Sequence, residues 1–357
     1  MVGVLPLQFG AVLAGDVGGR GRIGLRVFNE EADKKLSEEN ASDTVQWHFA
    51  NTPALDDILS GWAEQAADLI EANADYYKED KLRAVGLAFP GGVVNGHFVT
   101  EADNLSESTG FNWNNVDLAA PLAEKLKNVF AQRGLSDTLD ENLTVNIAND
   151  LVAGTLGERY DGAASDMTQG WLFTTMLGTG YGGATMMVTP DGGIVTPGEP
   201  GQQKATLKKM VEEFASGNGL LEEARAAGLD VDSPRELISK AFLGGFSATD
   251  SKTAHRVINK GIRAFAESLG GFVHLFYLPK ESGLQKRVLI GGGVVEDFKN
   301  AYADGIFMYR LKEAIAKKSF APAFKQTQFA FTQHPDNLMG AAVLATLPGN
   351  PGLRVMG

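Results

Sequence analysis

Residues Trp171 to Val188, WLFTTMLGTGYGGATMMV, place four glycines in six positions between two apolar runs. Gly178, Gly180 and Gly183 satisfy the G-x-G-x-x-G spacing of a dinucleotide-binding turn, which lies between a strand and a helix and cradles a pyrophosphate. The sequel excludes that unit. After Gly183 the chain reads ATMMVTPDGG, a short apolar run stopped by a Pro-Asp-Gly-Gly turn, so the second element is a strand and the pair is a hairpin. A glycine turn between strands still lets backbone N–H groups approach an anion, because no side chain holds it off. Alone, the stretch fits a phosphate turn and an ordinary tight hairpin equally well.

The same grammar opens the chain. Ala11 to Ala14 and Ile23 to Phe28 are apolar runs around GDVGGRGR, again strand, glycine turn, strand. The charged span Asn29 to Ser42 reads as a solvated loop. Thr52-Pro53 then offers a cap and a first-turn proline to a helix carrying Leu55, Ile58, Leu59, Trp62, Ala66, Leu69 and Ile70 on one face. Val85, Leu87 and Phe89 alternate as a half-buried strand that ends at Pro90-Gly91-Gly92, and Leu143 to Ile147 forms a strand that delivers Asn149 and Asp150 at its end. In open α/β sheets ligands bind beyond the carboxyl ends of strands, so polar residues there are candidate site residues. After the hairpin at 171–188 come helices at about 205–216, at 234–242 with Ser233 as cap, and from Ile258 to Phe276, where Pro279 stops the chain. His274 on the last of these has no visible partner and reads as structural. Arg287 to Ile290 is a strand running into Gly291-Gly292-Gly293, much as Phe89 runs into Gly91-Gly92. Two halves with one grammar predict a duplicated α/β domain with a nucleotide site between the copies.

Composition agrees with that size and class. A chain of 357 residues exceeds one ordinary core, so two domains are expected. Its 44% hydrophobic and 21% charged residues are those of a globular protein. A net charge of -12 and a pI near 5.0 argue against a nucleic-acid or anionic-membrane surface and leave small ligands as the expected partners. With no cysteine, disulfides, thiolate zinc sites and cysteine nucleophiles are excluded together. The N-terminal stretch lacks a basic leader and runs directly into a strand, so neither signal peptide nor membrane span is read, and a cytoplasmic location is expected.

Seven strings in order carry a family resemblance: DVGG (16–19), GLAFPGGVVNG (86–96), NDLVAGTLGE (149–158), LGTGYGG (177–183), PGEPG (197–201), LIGGGVV (289–295) and GAAVLA (340–345). Over nearly the whole chain this set resembles the bacterial glucokinases and ROK sugar kinases. The resemblance implies duplicated actin/hexokinase-like (ribonuclease H-like) α/β domains with a nucleotide and sugar cleft between them. It implies a smaller N-terminal domain of residues 1–148 plus about 336–357, and a larger C-terminal domain of 149–335. The activity implied is ATP-dependent phosphorylation of a hexose, glucose first, with Mg2+ and a homodimeric assembly.

The roles follow residue by residue from the resemblance. Asp150 matches the catalytic aspartate, which accepts the proton of the attacking hydroxyl, and Asn149 beside it hydrogen-bonds the sugar. A turn or a cap is the plain reading of an Asn-Asp pair after a strand, and it is the seven strings together that favour the functional one. Glu199 and Glu212 match two sugar-binding glutamates, whose paired acceptors suit a polyol's O–H donors. Asp103, Asn104 and Gly91 fall where the family also touches sugar. Gly18, Gly19, Gly178, Thr179 and Gly180 are expected to face the phosphates, Asp16 to stand near the magnesium through water, and Gly291, Gly292 and Gly293 to lie by the adenosine.

Three departures stand out. Arg20 replaces the usual threonine after D-x-G-G and is followed by Gly21 and Arg22, so the first phosphate loop, where Arg20 is expected among the nucleotide-binding residues, carries positive charge in place of a hydroxyl. Gln202, expected among the sugar-binding residues, replaces the histidine of G-E-x-G-H and keeps hydrogen bonding but loses the imidazole. The family's zinc-binding cysteines are absent, so no zinc is expected. Alternatives in the same class are a kinase for another hexose or an acylamino sugar, or one using polyphosphate as donor. From another class, Arg20 and Gln202 suggest a catalytically weakened sugar-binding protein, and an actin-like filament subunit follows from fold analogy alone.

Overall fold

In a computed structural model, residues 11–29, 36, 41–198, 210–275, 284–334, 336–346 and 353–355 are described. The strands are β1 (Ala11–Gly18), β2 (Arg22–Phe28), β3 (Val45–His48), β4 (Leu82–Phe89), β5 (Gly92–Val94), β6 (Phe98–Glu101), β7 (Val116–Asp117), β8 (Leu139–Asn149), β9 (Gly170–Leu177), β10 (Tyr181–Thr189), β11 (Gly192–Gly198), β12 (Gln285–Gly291), β13 (Gln328–Phe331) and β14 (Leu353–Val355). The helices are α1 (Leu55–Glu71), α2 (Ala74–Glu79), α3 (Asp103–Thr109), α4 (Ala119–Gln132), α5 (Asp150–Tyr160), α6 (Glu212–Ala215), α7 (Gly217–Ala226), α8 (Pro234–Leu243), α9 (Ala248–Leu275), α10 (Gly293–Asn300), α11 (Asp304–Ala316) and α12 (Leu338–Ala345).

The two main sheets share one topology. The first has order β3-β2-β1-β4-β8, and the second β13-β12-β9-β10-β11-β14. Read from its third member, β11-β10-β9-β12-β13, the second sheet repeats the 3-2-1-4-5 order of the first, with β14 added beside β11. In the first, β1 and β2 pair antiparallel as a hairpin, whereas β4 and β8 run parallel to β1. In the second, β12 runs parallel to β9 and β13 parallel to β12. The expectation of a hairpin at 171–188 holds, since β9 and β10 are sheet neighbours joined by Gly178, Thr179 and Gly180. The chain has the duplicated α/β architecture of the actin/hexokinase class.

Compactness divides the chain into one unit of Met1–Gln169, Thr185–Pro197 and Asp336–Gly357 and another of Gly170–Ala184 and Gly198–Pro335. The first unit keeps α5, so the chain leaves it after Gln169, past the 148/149 boundary expected from sequence. The reason is the packing of α5 on α12. A β-carbon at Gly340 would lie 1.6 Å from the Ala153 carbonyl oxygen, and one at Gly157 2.9 Å from the Gly340 nitrogen, so the two helix backbones touch.

Three local expectations are corrected. β4 is not half-buried: Ala84 through Phe89 are all buried, because α12 covers its second face and leaves no room at Gly86, where a β-carbon would meet the Ala341 carbonyl oxygen at 1.8 Å. The cap of α1 is Ala54, with no side-chain bond. Thr52 is instead tied into the preceding turn by its N–H to Phe49 O (3.2 Å). The charged span 29–42 is more than solvated loop, since Leu36 is fully buried and Ala41 bridges to Phe28. Ser233 caps α8 as expected, accepting from Glu236 N at 3.1 Å, with Pro234 in the first turn.

Each unit has its own apolar core. The first centres on Trp62, Trp113, Phe49, Phe89 and Phe130, with the indole of Trp62 stacked on that of Trp113 at 6.3 Å. The second centres on Phe265, Phe298 and Phe307, which line α9, α10 and α11. Among the described residues no helix is long and apolar enough to cross a membrane.

Candidate functional site

In the first unit the carboxyl ends of three parallel strands come into line. Asp16 of β1 pairs with Ala88 of β4, Ala88 with Ala148 of β8, and Phe89 with Asn149. Asp16, Gly91, Asn149 and Asp150 therefore share the strand-end edge at which ligands of α/β sheets bind. Asn149 is nearly buried and caps α5. Its Oδ1 accepts from Leu151 N at 3.0 Å and its Nδ2 donates to Gly91 O at 2.9 Å. Each amide atom thus makes one protein bond and retains one N–H and one lone pair. Asp150 is the first residue of α5, and its Oδ1 also accepts from Leu151 N (2.9 Å). The N-terminus of a helix suits a negative carboxylate.

Gly91 is wedged against the end of β6, where a β-carbon would lie 2.0 Å from the Glu101 carbonyl oxygen and 2.9 Å from the Ala102 β-carbon. That contact brings up the start of α3. Asp103 and Asn104 are both exposed there, and Asn104 reaches the β1–β2 turn: a β-carbon at Gly19 would meet the Asn104 Cβ at 3.6 Å and the Pro90 Cβ at 3.9 Å. Five expected site positions, Gly19, Gly91, Asn104, Asn149 and Asp150, are thereby linked through this edge.

Asp16 is held by a residue that sequence reasoning missed. Asn337, just before α12, donates its Nδ2 to Asp16 Oδ1 at 3.1 Å and its backbone N–H to Oδ2 at 3.5 Å. Desolvation nevertheless pushes the Asp16 carboxyl above the usual aspartate range; the bonds from Asn337 pull it down, the Asp336 charge pushes it up, and the Arg22 charge pulls it down. With its amide turned to Asp16, Asn337 leaves its Oδ1 buried beside Gly154 and without a partner among the described residues. The signal for Asn337 was its place immediately before an apolar run, the position of a helix cap.

Among the described residues no cluster of three His, Cys, Asp or Glu is arranged to hold a metal. One desolvated carboxylate does fit magnesium, which binds through one or two carboxylates and otherwise keeps water and substrate phosphates. Asp16 is the residue that would hold it.

In the second unit the turn Gly178-Thr179-Gly180 sits on the start of α7. Gly217 N donates to Gly178 O (2.7 Å), Asn218 N to Thr179 O (3.4 Å), and Gly178 N to Gly180 O (2.9 Å). Ser216 caps α7 by accepting from Gly219 N at 3.1 Å. Gly291 pairs with Met176 at the end of β9, and Gly292 has φ +93° and would bring a β-carbon within 2.6 Å of the Leu177 carbonyl oxygen, a conformation and a closeness that favour glycine. Gly293 then begins α10 with nothing within 4 Å of a β-carbon placed on it. Two helix starts and a glycine turn converge on one strand end, with the first N–H groups of α7 already taken by the turn carbonyls and the Ser216 hydroxyl.

Glu212 lies over that turn. A β-carbon at Gly180 would meet its Oε1 at 2.6 Å, and the Tyr181 N–H donates to it. Burial pushes its carboxyl above the ordinary glutamate range, with the Tyr181 bond opposing. The folded state therefore holds this proton more tightly than the unfolded state. The stability it contributes is complete below the ordinary glutamate pKa of about 4.3 and is lost as pH rises through the elevated folded value. Glu212→Gln keeps an acceptor for Tyr181 and cannot ionise, so the melting temperature of the wild type relative to this variant is expected to fall as pH rises above about 4. A pH-independent difference in thermal melts would refute the burial of this carboxyl.

Glu199 and Gln202 lie outside the described residues. Arg20 and Arg22 are exposed at the β1–β2 turn.

These two strand-end constellations, each at the same point of a repeated 3-2-1-4-5 sheet, define a protein of the actin/hexokinase-like class. The sequence pattern of the ROK family matches residues 19–347, and the chain belongs to that family. Among solved structures it is similar to a ROK hexokinase from Thermus thermophilus, at 20% identity and TM-score 0.66, covering 96% of this chain and 99% of that one. It is also similar to a ROK family glucokinase from Streptomyces griseus solved with glucose and AMPPNP, at 19% identity and TM-score 0.61, covering 95% and 100%. A ROK family transcriptional regulator, a homologue of the E. coli MLC protein, matches at 16% identity and TM-score 0.69, covering 96% of this chain and 79% of that one. At these identities the likeness shows the fold. No curated protein matches the sequence at a significant level.

Proposed function

We propose that the chain is a sugar kinase that transfers the terminal phosphoryl group of ATP to a hexose hydroxyl, with glucose to glucose 6-phosphate as the first reaction to try. The observation that carries this reading is Asp150, a carboxylate at the end of β8 on the same strand-end edge as Asp16. In the proposed step the hydroxyl oxygen attacks the terminal phosphorus, its proton passes to the Asp150 carboxylate, and the bond to the bridging oxygen breaks to release ADP. Asn149, with its remaining N–H and lone pair, orients the sugar, joined by Asp103, Asn104, Gly91, Glu199, Gln202 and Glu212. Gly18 and Gly19 in the first unit, and Gly178, Thr179, Gly180 and Gly291 to Gly293 in the second, supply donors and close backbone approach for the nucleotide. Asp16 would hold magnesium, which would supply charge neutralisation on the phosphates.

An ADP-release assay across a hexose and acylamino-sugar panel tests this and names the acceptor. Turnover with at least one sugar is expected. Sugar-dependent thermal stabilisation without turnover would instead favour the sugar-binding reading that the Arg20 and Gln202 departures suggest, because ligand stabilisation requires affinity and not chemistry. Gln202 provides a finer check. Gln202→His is expected to leave activity similar or higher and Gln202→Ala to raise the KM for sugar. Identical kinetics in both variants would remove this position from the site.

A further inference from the structure

Arg20 and Arg22 flank Gly21 at the tip of the first glycine hairpin, both exposed, and among the described residues neither has a hydrogen bond or an ion pair. Several other arginines of this acidic chain have side-chain partners. Arg133 meets Glu64, Asp68 and Glu71, Arg287 binds Gln328 and Arg310 binds Asn259. The turn that carries these two is fixed on several sides, and the Arg22 charge also acts on the Asp16 carboxylate. Gly21 N donates to Gly18 O (3.1 Å), Phe49 N to Gly21 O (2.7 Å) and the Ser108 hydroxyl to Gly19 O (3.1 Å). Three carbonyls of the turn are thus occupied by protein donors. What the turn offers outward is cationic. The Arg22 side chain lies along Gly18, where a β-carbon would be 3.0 Å from its Cγ and Nε, so the glycine makes room for the guanidinium stem.

We infer that Arg20 and Arg22 grip the phosphate chain of the phosphoryl donor, so that the donor is recognised by the charge of a linear chain of three or more phosphoryl groups, with or without a nucleoside. The inference rests on the kinase reading above. A guanidinium offers forked donors that match phosphate oxygens, which a single hydroxyl at position 20 cannot do. Two such contacts on a pre-formed turn make affinity depend on phosphate number and on ionic strength.

The test is calorimetric binding of magnesium ATP, ADP, AMP and inorganic tripolyphosphate to the full chain, the double variant Arg20→Gln/Arg22→Gln, and the charge-keeping Arg20→Lys/Arg22→Lys. Loss of a charge-assisted bond weakens binding by about tenfold or more, so the Gln pair is expected to lose about 10²-fold for ATP. AMP binding and the thermal shift given by the hexose should stay unchanged, and the Lys pair should recover part of the loss. Salt should weaken ATP binding less in the Gln pair than in the wild type. Tripolyphosphate that competes with ATP and loses affinity in parallel identifies the bare chain as sufficient; ATP-only binding with the same arginine dependence identifies the nucleotide as the source of the chain. A Gln pair that binds ATP within twofold of wild type overturns the inference, and the kinase reading survives if that variant still turns over. A wild type that binds no phosphate chain at all overturns both.

Discussion

Asp150→Asn is expected to fold normally and bind nucleotide as the wild type does, yet to lose at least about 10²-fold in kcat, the lower end of what general-base assistance contributes. Asparagine keeps the shape of the side chain and an oxygen able to accept from Leu151 N, the contact that the Asp150 Oδ1 makes at 2.9 Å. Asn149 would still cap α5, so the fold has little reason to change. What is lost is the ability to take a proton. Steady-state kinetics of the purified variant, together with its circular dichroism and its affinity for ATP, separate these effects. Near wild-type turnover would remove Asp150 as the base and undermine the matching of 149–158 with it.

The largest effect on stability is expected at Gly340. A methyl group there would have to displace the Ala153 carbonyl oxygen, 1.6 Å away, and the obstacle is helix backbone, which cannot turn aside as a flexible side chain can. Overpacking a tight core usually costs about 1–3 kcal/mol, and this position belongs at or above the upper end. The higher helix propensity of alanine, worth about 1 kcal/mol over glycine, acts in the opposite direction and is too small to reverse the sign. Gly340→Ala is therefore expected to lower the denaturant midpoint of the first unit by the equivalent of about 3 kcal/mol or more. Gly134→Ala, with nothing within 4 Å of the added carbon but a φ of +71°, serves as a comparison in which the cost is conformational only. An unchanged midpoint in Gly340→Ala would mean that α5 and α12 are not in backbone contact.

Much of the fold was legible because its signals are local. The glycine turns at 18–21 and 178–180 lie between short apolar runs, and both prove to be hairpin tips. The strand ends at 89–91, 149–150 and 291–293 follow alternating or β-branched runs. Duplication was visible as repeated grammar, and the sheet orders confirm it. What escaped is set by three-dimensional packing. All eight residues of α12, LMGAAVLA, are buried, so this helix has no polar face and no helical period to detect. Its presence is also why β4 is buried on both faces where alternation suggested one. Asn337 follows from the same gap, since a residue cannot be read as a helix start when the helix is not seen. The contact of Asn104 with Gly19 joins positions 85 residues apart by way of the short β5–β6–β7 sheet, which leaves no periodic trace. Glu212 was placed from the family resemblance among sugar ligands; its contact with Gly180 and Tyr181 depends on a hairpin meeting a helix start, which spacing does not reveal.

Phosphorus NMR of the wild-type chain with magnesium ATP and each hexose of the panel tests the kinase reading most directly, because it observes the bond made and the bond broken together. The expected result is a new sugar phosphomonoester resonance growing in step with ADP, in the presence of one hexose and not in its absence, and missing from Asp150→Asn. ATP left intact with every sugar, while one of them still raises the melting temperature, would contradict it.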